Sequence, residues 1–95
     1  MPNLVAKYDC LLAEVQKAMQ ARHHDHWVLA LQAWREELVG ITNAGLNEHA
    51  KRTARALGGM ESIGEIALAD RDERLLKLVE ELFARCKKIV EPDKL

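Results

Sequence analysis

From Leu75 onward, apolar residues recur at steps of three and four: Leu75, Leu76, Val79, Leu82, Phe83, Cys86, Ile89 and Val90. That period lays them along one stripe of an α-helix. A stripe so apolar cannot face water, so other segments of the chain must cover it. Asp70 or Asp72 supplies an N-cap, and acidic side chains there sit well against the positive end of the helix dipole. Lys87 and Lys88 complement the negative end, and Pro92 stops the helix. The pattern predicts a helix over 71–90. Cys86 lies at the centre of the stripe and is expected to be a buried thiol. Glu73, Lys77, Glu81 and Arg85 alternate in sign on the outer face, and pairs at that spacing contribute about 0.2–0.5 kcal/mol each.

The same period runs through the upstream sequence. Asn3 can cap a helix over 3–22 whose stripe is Leu4, Tyr8, Leu11, Leu12, Val15 and Met19. Cys10 falls on roughly the opposite side, an exposed thiol that stays inert unless basic groups lie beside it. A second helix is expected over 26–43, with Asp25 as its cap and Trp27, Ala30, Leu31, Trp34, Leu38 and Ile41 as its stripe. Its two indoles read as core anchors. Val28, Leu29 and Val39 lie off that stripe, which suggests apolar surface for a second copy or a protein partner. Gly45 suits a helix C-cap.

A third helix over 46–57 turns Leu46, Ala50, Thr53, Ala54 and Leu57 inward and Lys51, Arg52 and Arg55 outward. A fourth, over 61–69, carries Ile63 and Ile66, with Ser62 and Glu65 at capping-box spacing. Gly64 inside it costs about 1 kcal/mol relative to Ala, which suggests close approach of another backbone. The fold expected is all-α, a compact antiparallel bundle of four to five helices in one domain spanning 1–95. Its core is expected from the first, second and last helices, with the short third and fourth packed across one end.

Composition narrows the function classes. Ninety-five residues leave no room for a second core. A formal net charge of −1 gives no global pull toward nucleic acid or an anionic membrane. Apolar runs fall far short of the roughly 20 residues that span a bilayer. Two cysteines are too few for a disulfide scaffold, and Met1–Lys7 lacks the basic and apolar regions of a signal peptide. The expectation is a cytoplasmic protein without membrane attachment.

His23-His24-Asp25-His26 is the first candidate for chemistry, since imidazole and carboxylate are the ligand types of zinc and nickel. Consecutive residues fan out around a backbone, however, and a helical site needs spacing of three or four. A solvated turn is the favoured reading. A small metal-binding or hydrolytic protein using His23 and His26 with His49 is the alternative. Ala54 and Gly58 have the spacing of a helix-turn-helix, but the segment that would enter the groove carries Glu61 and Glu65 and no cation. Nucleic-acid binding through Lys51, Arg52 and Arg55, with Arg22 nearby, is therefore the weakest reading.

The sequence has no nucleophile elbow, phosphate loop or His-Glu-x-x-His, and Ser62 is its only serine. No catalytic residue and no cofactor is assigned. The remaining expectation is a non-enzymatic protein-interaction module, with Val28, Leu29 and Val39 meeting a protein partner or, as a homodimer, a second copy of the chain.

Gly58-Gly59-Met60-Glu61-Ser62-Ile63-Gly64-Glu65-Ile66 resembles a Gly-Gly-Met-Gly-Ser-apolar-Asn-Asp-apolar segment found in small uncharacterised bacterial all-helical proteins. Those proteins also have a tryptophan-containing helix upstream and an amphipathic helix that closes the chain. The match is close at Gly58, Gly59, Met60, Ser62 and Ile63. It departs at Glu61, Gly64 and Glu65, where the group has Gly, Asn and Asp. The resemblance implies a bacterial origin and a helical fold; no activity comes with it.

Overall fold

The structure is a computed structural model that describes residues 2–58 and 63–91, with side chains for 5–58 and 63–91. Five helices follow in order: α1 (Pro2–Ala21), α2 (Asp25–Glu37), α3 (Asn43–Leu57), α4 (Ile63–Ala69) and α5 (Glu73–Val90). The architecture is the all-α bundle that the periodicity predicts, and there is no strand among the described residues. None of these helices is long and apolar enough to cross a membrane.

The stripe on α5 organises the packing. α1 covers one flank and α3 the other, while α2 lies outside α1 and α4 closes onto α5 and α3. Leu75, Leu82, Cys86 and Ile89 are buried, and Leu76, Leu78, Val79 and Val90 pack against them half-covered. From α1 come Tyr8, Leu12, Val15 and Met19, all fully buried. α3 is thus a full wall of the core rather than a lid across one end: Leu46, Ala50, Thr53 and Leu57 are buried, and α3 packs against α5 as extensively as α1 does against α2.

α2 is the outermost element, and this changes the role of its tryptophans. Leu31 and Leu38 are buried, whereas Trp27 and Trp34 are only half-buried and pack edge to face with centroids 6.2 Å apart. They shield the seam between α2 and the bundle instead of anchoring its centre. The helix also ends at Glu37, six residues before the expected Asn43. Gly40 (φ 69°) takes the left-handed conformation that glycine adopts at little cost. Thr42 then caps α3, its hydroxyl oxygen accepting from the Gly45 N–H at 3.0 Å. Gly45 therefore sits inside the first turn of α3 rather than closing α2. A Cβ there would lie 3.0 Å from the Ile41 side chain.

Two helix ends share one design. α1 closes with His23 N–H to Gln20 O and His24 N–H to Met19 O, and α4 with Arg71 N–H to Leu68 O and Asp72 N–H to Ala67 O. Both are Schellman turns, with His23 (φ 60°) and Arg71 (φ 53°) in the left-handed position usually given to glycine. Arg22 joins the two turns. Its Nε donates to Asp70 at 2.9 Å, its Nη2 pairs with Asp72 and its Nη1 donates to the Ala18 carbonyl. Asp72 also caps α5 by accepting from the Leu75 N–H. The expected N-cap on α2 is not Asp25: that residue is inside the helix, and His24 precedes it without a side-chain cap bond. α1 likewise begins at Pro2, so Asn3 falls within it. Gly59 to Ser62, including the proposed Ser62 cap, lie outside the described residues.

Candidate interaction surface

At the level of Tyr8 the core contains a buried polar centre. The Tyr8 hydroxyl lies 2.7 Å from His49 Nδ1 and 2.7 Å from Thr53 Oγ1, and all three side chains are buried. His49 Nε2 is 2.8 Å from the Trp34 carbonyl, which can only accept, so Nε2 carries a proton and donates. With His49 neutral, Nδ1 is an acceptor facing the Tyr8 hydroxyl, which is shared between His49 and Thr53. Burial pulls the His49 pKa down and pushes that of Tyr8 up, and burial also raises the Cys86 thiol beside Tyr8 to about 11. The cluster stays neutral near pH 7 and ties α1, α2 and α3 together.

This placement separates the histidines that the metal reading needs together. His49 is held by Tyr8 and Trp34 inside the bundle. His23 and His26 stand exposed at the α1–α2 turn, with His26 against the Trp27 ring at 5.3 Å. Among the described residues no group of three His, Cys, Asp or Glu side chains is placed to share an ion. The basic face of α3 is also partly engaged: Arg52 pairs with Glu37 at 2.6 Å and lies over Trp34, and Lys51 reaches Glu48 at 3.4 Å. Arg22 is at the other end of the bundle, bound to Asp70 and Asp72. Of the proposed dimer residues, Val28 packs against the core, while Leu29 (72% exposed) and Val39 (86% exposed) face outward.

The larger concentration of unengaged charge flanks the C-terminal half of α5. A groove of about 300 Å³ between α3 and α5 has Arg55, Lys87 and the Glu48-paired Lys51 on its rim beside one acid, Glu91, with Ala54, Phe83, Cys86 and Val90 as its floor. Phe83, assigned by its spacing to the core, lies at the edge of that floor, with Lys87 Nζ 5.1 Å from its ring centre. On the opposite flank, a groove of about 410 Å³ between α1 and α5 is lined by Lys7, Cys10, Leu11, Glu81, Ala84, Arg85 and Lys88. Cys10 is exposed and Cys86 buried, as their positions on the two stripes predict. The alternating ladder of Glu73, Lys77, Glu81 and Arg85 forms no ion pair within 4 Å among the described residues, and Arg85 lines the α1 groove instead.

By sequence Lys87 and Lys88 complement the helix dipole; in the fold Lys7, Arg55 and Arg85 converge on the same end. The available signal was Lys7 three positions before Cys10, which puts both on one face of α1. The acidic residues Glu65, Glu80 and the exposed Leu68 border a separate apolar groove that includes Gly58 and Gly64. Compared with known proteins, the chain matches no family model, and no curated protein or solved structure matches it significantly.

Proposed function

We propose that the protein is a non-enzymatic protein-interaction module whose docking face is the cationic groove between α3 and α5. The observation that carries this reading is the combination of an aromatic edge, Phe83, with Arg55 and Lys87 around an apolar floor. Aromatic and arginine side chains grouped in this way dominate binding energy at protein interfaces. The rim's net positive charge, Lys51, Arg55 and Lys87 against Glu91, favours an acidic partner segment with an apolar face over a basic one. Arg55 has no acidic partner within 4 Å among the described residues, so its charge is available.

A second reading is supported by Leu29 and Val39, which leave apolar surface on the outside of α2 suited to a second copy of the chain. Two charge-introducing pairs separate the readings. Immobilised protein carrying Arg55→Glu and Lys87→Glu should lose a bound partner, while Leu29→Glu and Val39→Glu should keep it. Light scattering on the same variants reports self-association. Loss of the partner, or of a dimer, with the α2 pair alone would move the docking face to α2.

A further inference from the structure

The groove between α1 and α5 has a different character from the α3 side, and its lining points to a small ligand. Three cations, Lys7, Arg85 and Lys88, stand around Leu11, Ala84 and Cys10, with Glu81 the one acid among the lining residues. The excess of two positive charges is local, in a molecule whose formal net charge is −1. Arg85 adds a second observation: its Nε–H is buried and has no acceptor among the described residues. A buried donor left without a partner is costly, and such a group calls for an explanation. Arg85 has the Glu81 carboxylate one helical turn away, yet the two do not pair within 4 Å.

We propose that the α1–α5 groove binds a small amphipathic carboxylate, an acyl or aryl acid whose head group meets Arg85 and Lys88 and whose apolar body covers Leu11 and Ala84. The planar guanidinium matches a carboxylate in geometry as well as charge. A volume of about 410 Å³ lies within the usual range of small-molecule sites, which are apolar with a few placed polar groups. Neither a bare inorganic anion nor an uncharged alkane uses both halves of this lining. This inference is independent of the α3–α5 docking face, because Lys7, Cys10, Arg85 and Lys88 do not line that groove.

Octanoate, octanol and acetate test the two halves separately by titration calorimetry. Octanoate should bind one to one, and octanol and acetate at least about tenfold more weakly, the factor that corresponds to one charge-assisted interaction. Arg85→Gln should weaken octanoate by about the same factor while leaving the helical signal intact.

Cys10 gives a second readout inside the groove. Iodoacetate should alkylate it faster relative to iodoacetamide than it does an unstructured thiol, with the advantage falling in high salt. Octanoate should slow both reagents. The buried Cys86 serves as the internal unreactive control. The proposal is overturned if octanoate fails to bind at millimolar concentration, if octanol binds equally well, or if Arg85→Gln changes neither affinity nor the alkylation ratio.

Discussion

The two ends of the α1–α5 pair use the same residue types in opposite ways. At the end where α1 finishes and α5 starts, Arg22 holds Asp70, Asp72 and the Ala18 carbonyl, and two helix caps are locked to one another. At the other end, Lys7, Arg55, Arg85, Lys87 and Lys88 form no ion pair within 4 Å among the described residues. A charge helps build a fold when the chain itself supplies the counter-charge at contact distance; otherwise it remains available to bind something else. The first end therefore reads as construction, and the second keeps its cations without a counter-charge among the described residues.

Beneath the cationic end the interior is held by neutral hydrogen bonds, and that is where the largest effect is expected. Tyr8→Phe removes the hydroxyl shared by His49 and Thr53, leaving buried polar atoms without their partner. A loss of about 1–3 kcal/mol should appear in urea unfolding. A cost near zero would mean that His49 and Thr53 satisfy each other once Tyr8 is gone, and the centre would not be a determinant of the fold.

Arg22→Ala comes next, at about 1 kcal/mol. The side chain is mostly covered but both carboxylates are partly solvated, which discounts the pairing. His23→Gly should act in the opposite direction and raise stability by roughly 0.5–1 kcal/mol, because glycine takes the left-handed C′ position without strain. A decrease would show that the His23 side chain itself supports the turn.

The pH profile follows from the same interior. His49 has a lowered pKa, so below the ordinary imidazole value of 6.5 the unfolded chain takes up a proton that the folded one resists, and stability falls as pH drops. Cys86 is raised to about 11 from 9.0, so above about pH 9 the unfolded chain releases a proton that the folded one keeps, and stability falls again as pH rises. The urea midpoint should be highest between those limits. A maximum at pH 5 or at pH 10 would contradict the assignment of a neutral centre. The smallest effects are expected at the cationic end, where Arg55→Gln, Lys87→Gln and Lys88→Gln should each change stability by less than about 0.5 kcal/mol.

Much of this architecture was legible in the sequence because helical period is a local signal. The stripes on α1 and α5 identified Tyr8, Leu12, Val15, Met19, Leu75, Leu82, Cys86 and Ile89, all of them buried. The end of α2 was misjudged because the apolar period carries on through Leu38 and Ile41, while the chain obeys Gly40 and the Thr42 cap. The tryptophans and Phe83 were over-assigned to the core, since spacing fixes the face of a helix but not whether anything covers it.

The candidate surfaces were not legible, for a reason that applies to charge in general. Arg22 and Asp70 are 48 positions apart, and nothing local distinguishes Arg22 from Arg55. Which cation meets an acid depends on which helices become neighbours. His49 hid for the same reason: its three partners come from α1, α2 and α3.

The most direct measurement is urea unfolding of Arg22→Ala beside the triple variant Arg55→Gln, Lys87→Gln, Lys88→Gln, under one buffer and with one probe. The account predicts a lower midpoint for the single substitution and a midpoint near the parent for the triple one. A triple variant that loses more stability than Arg22→Ala would mean that the cationic end is part of the fold. It would then have to be abandoned as the proposed docking surface.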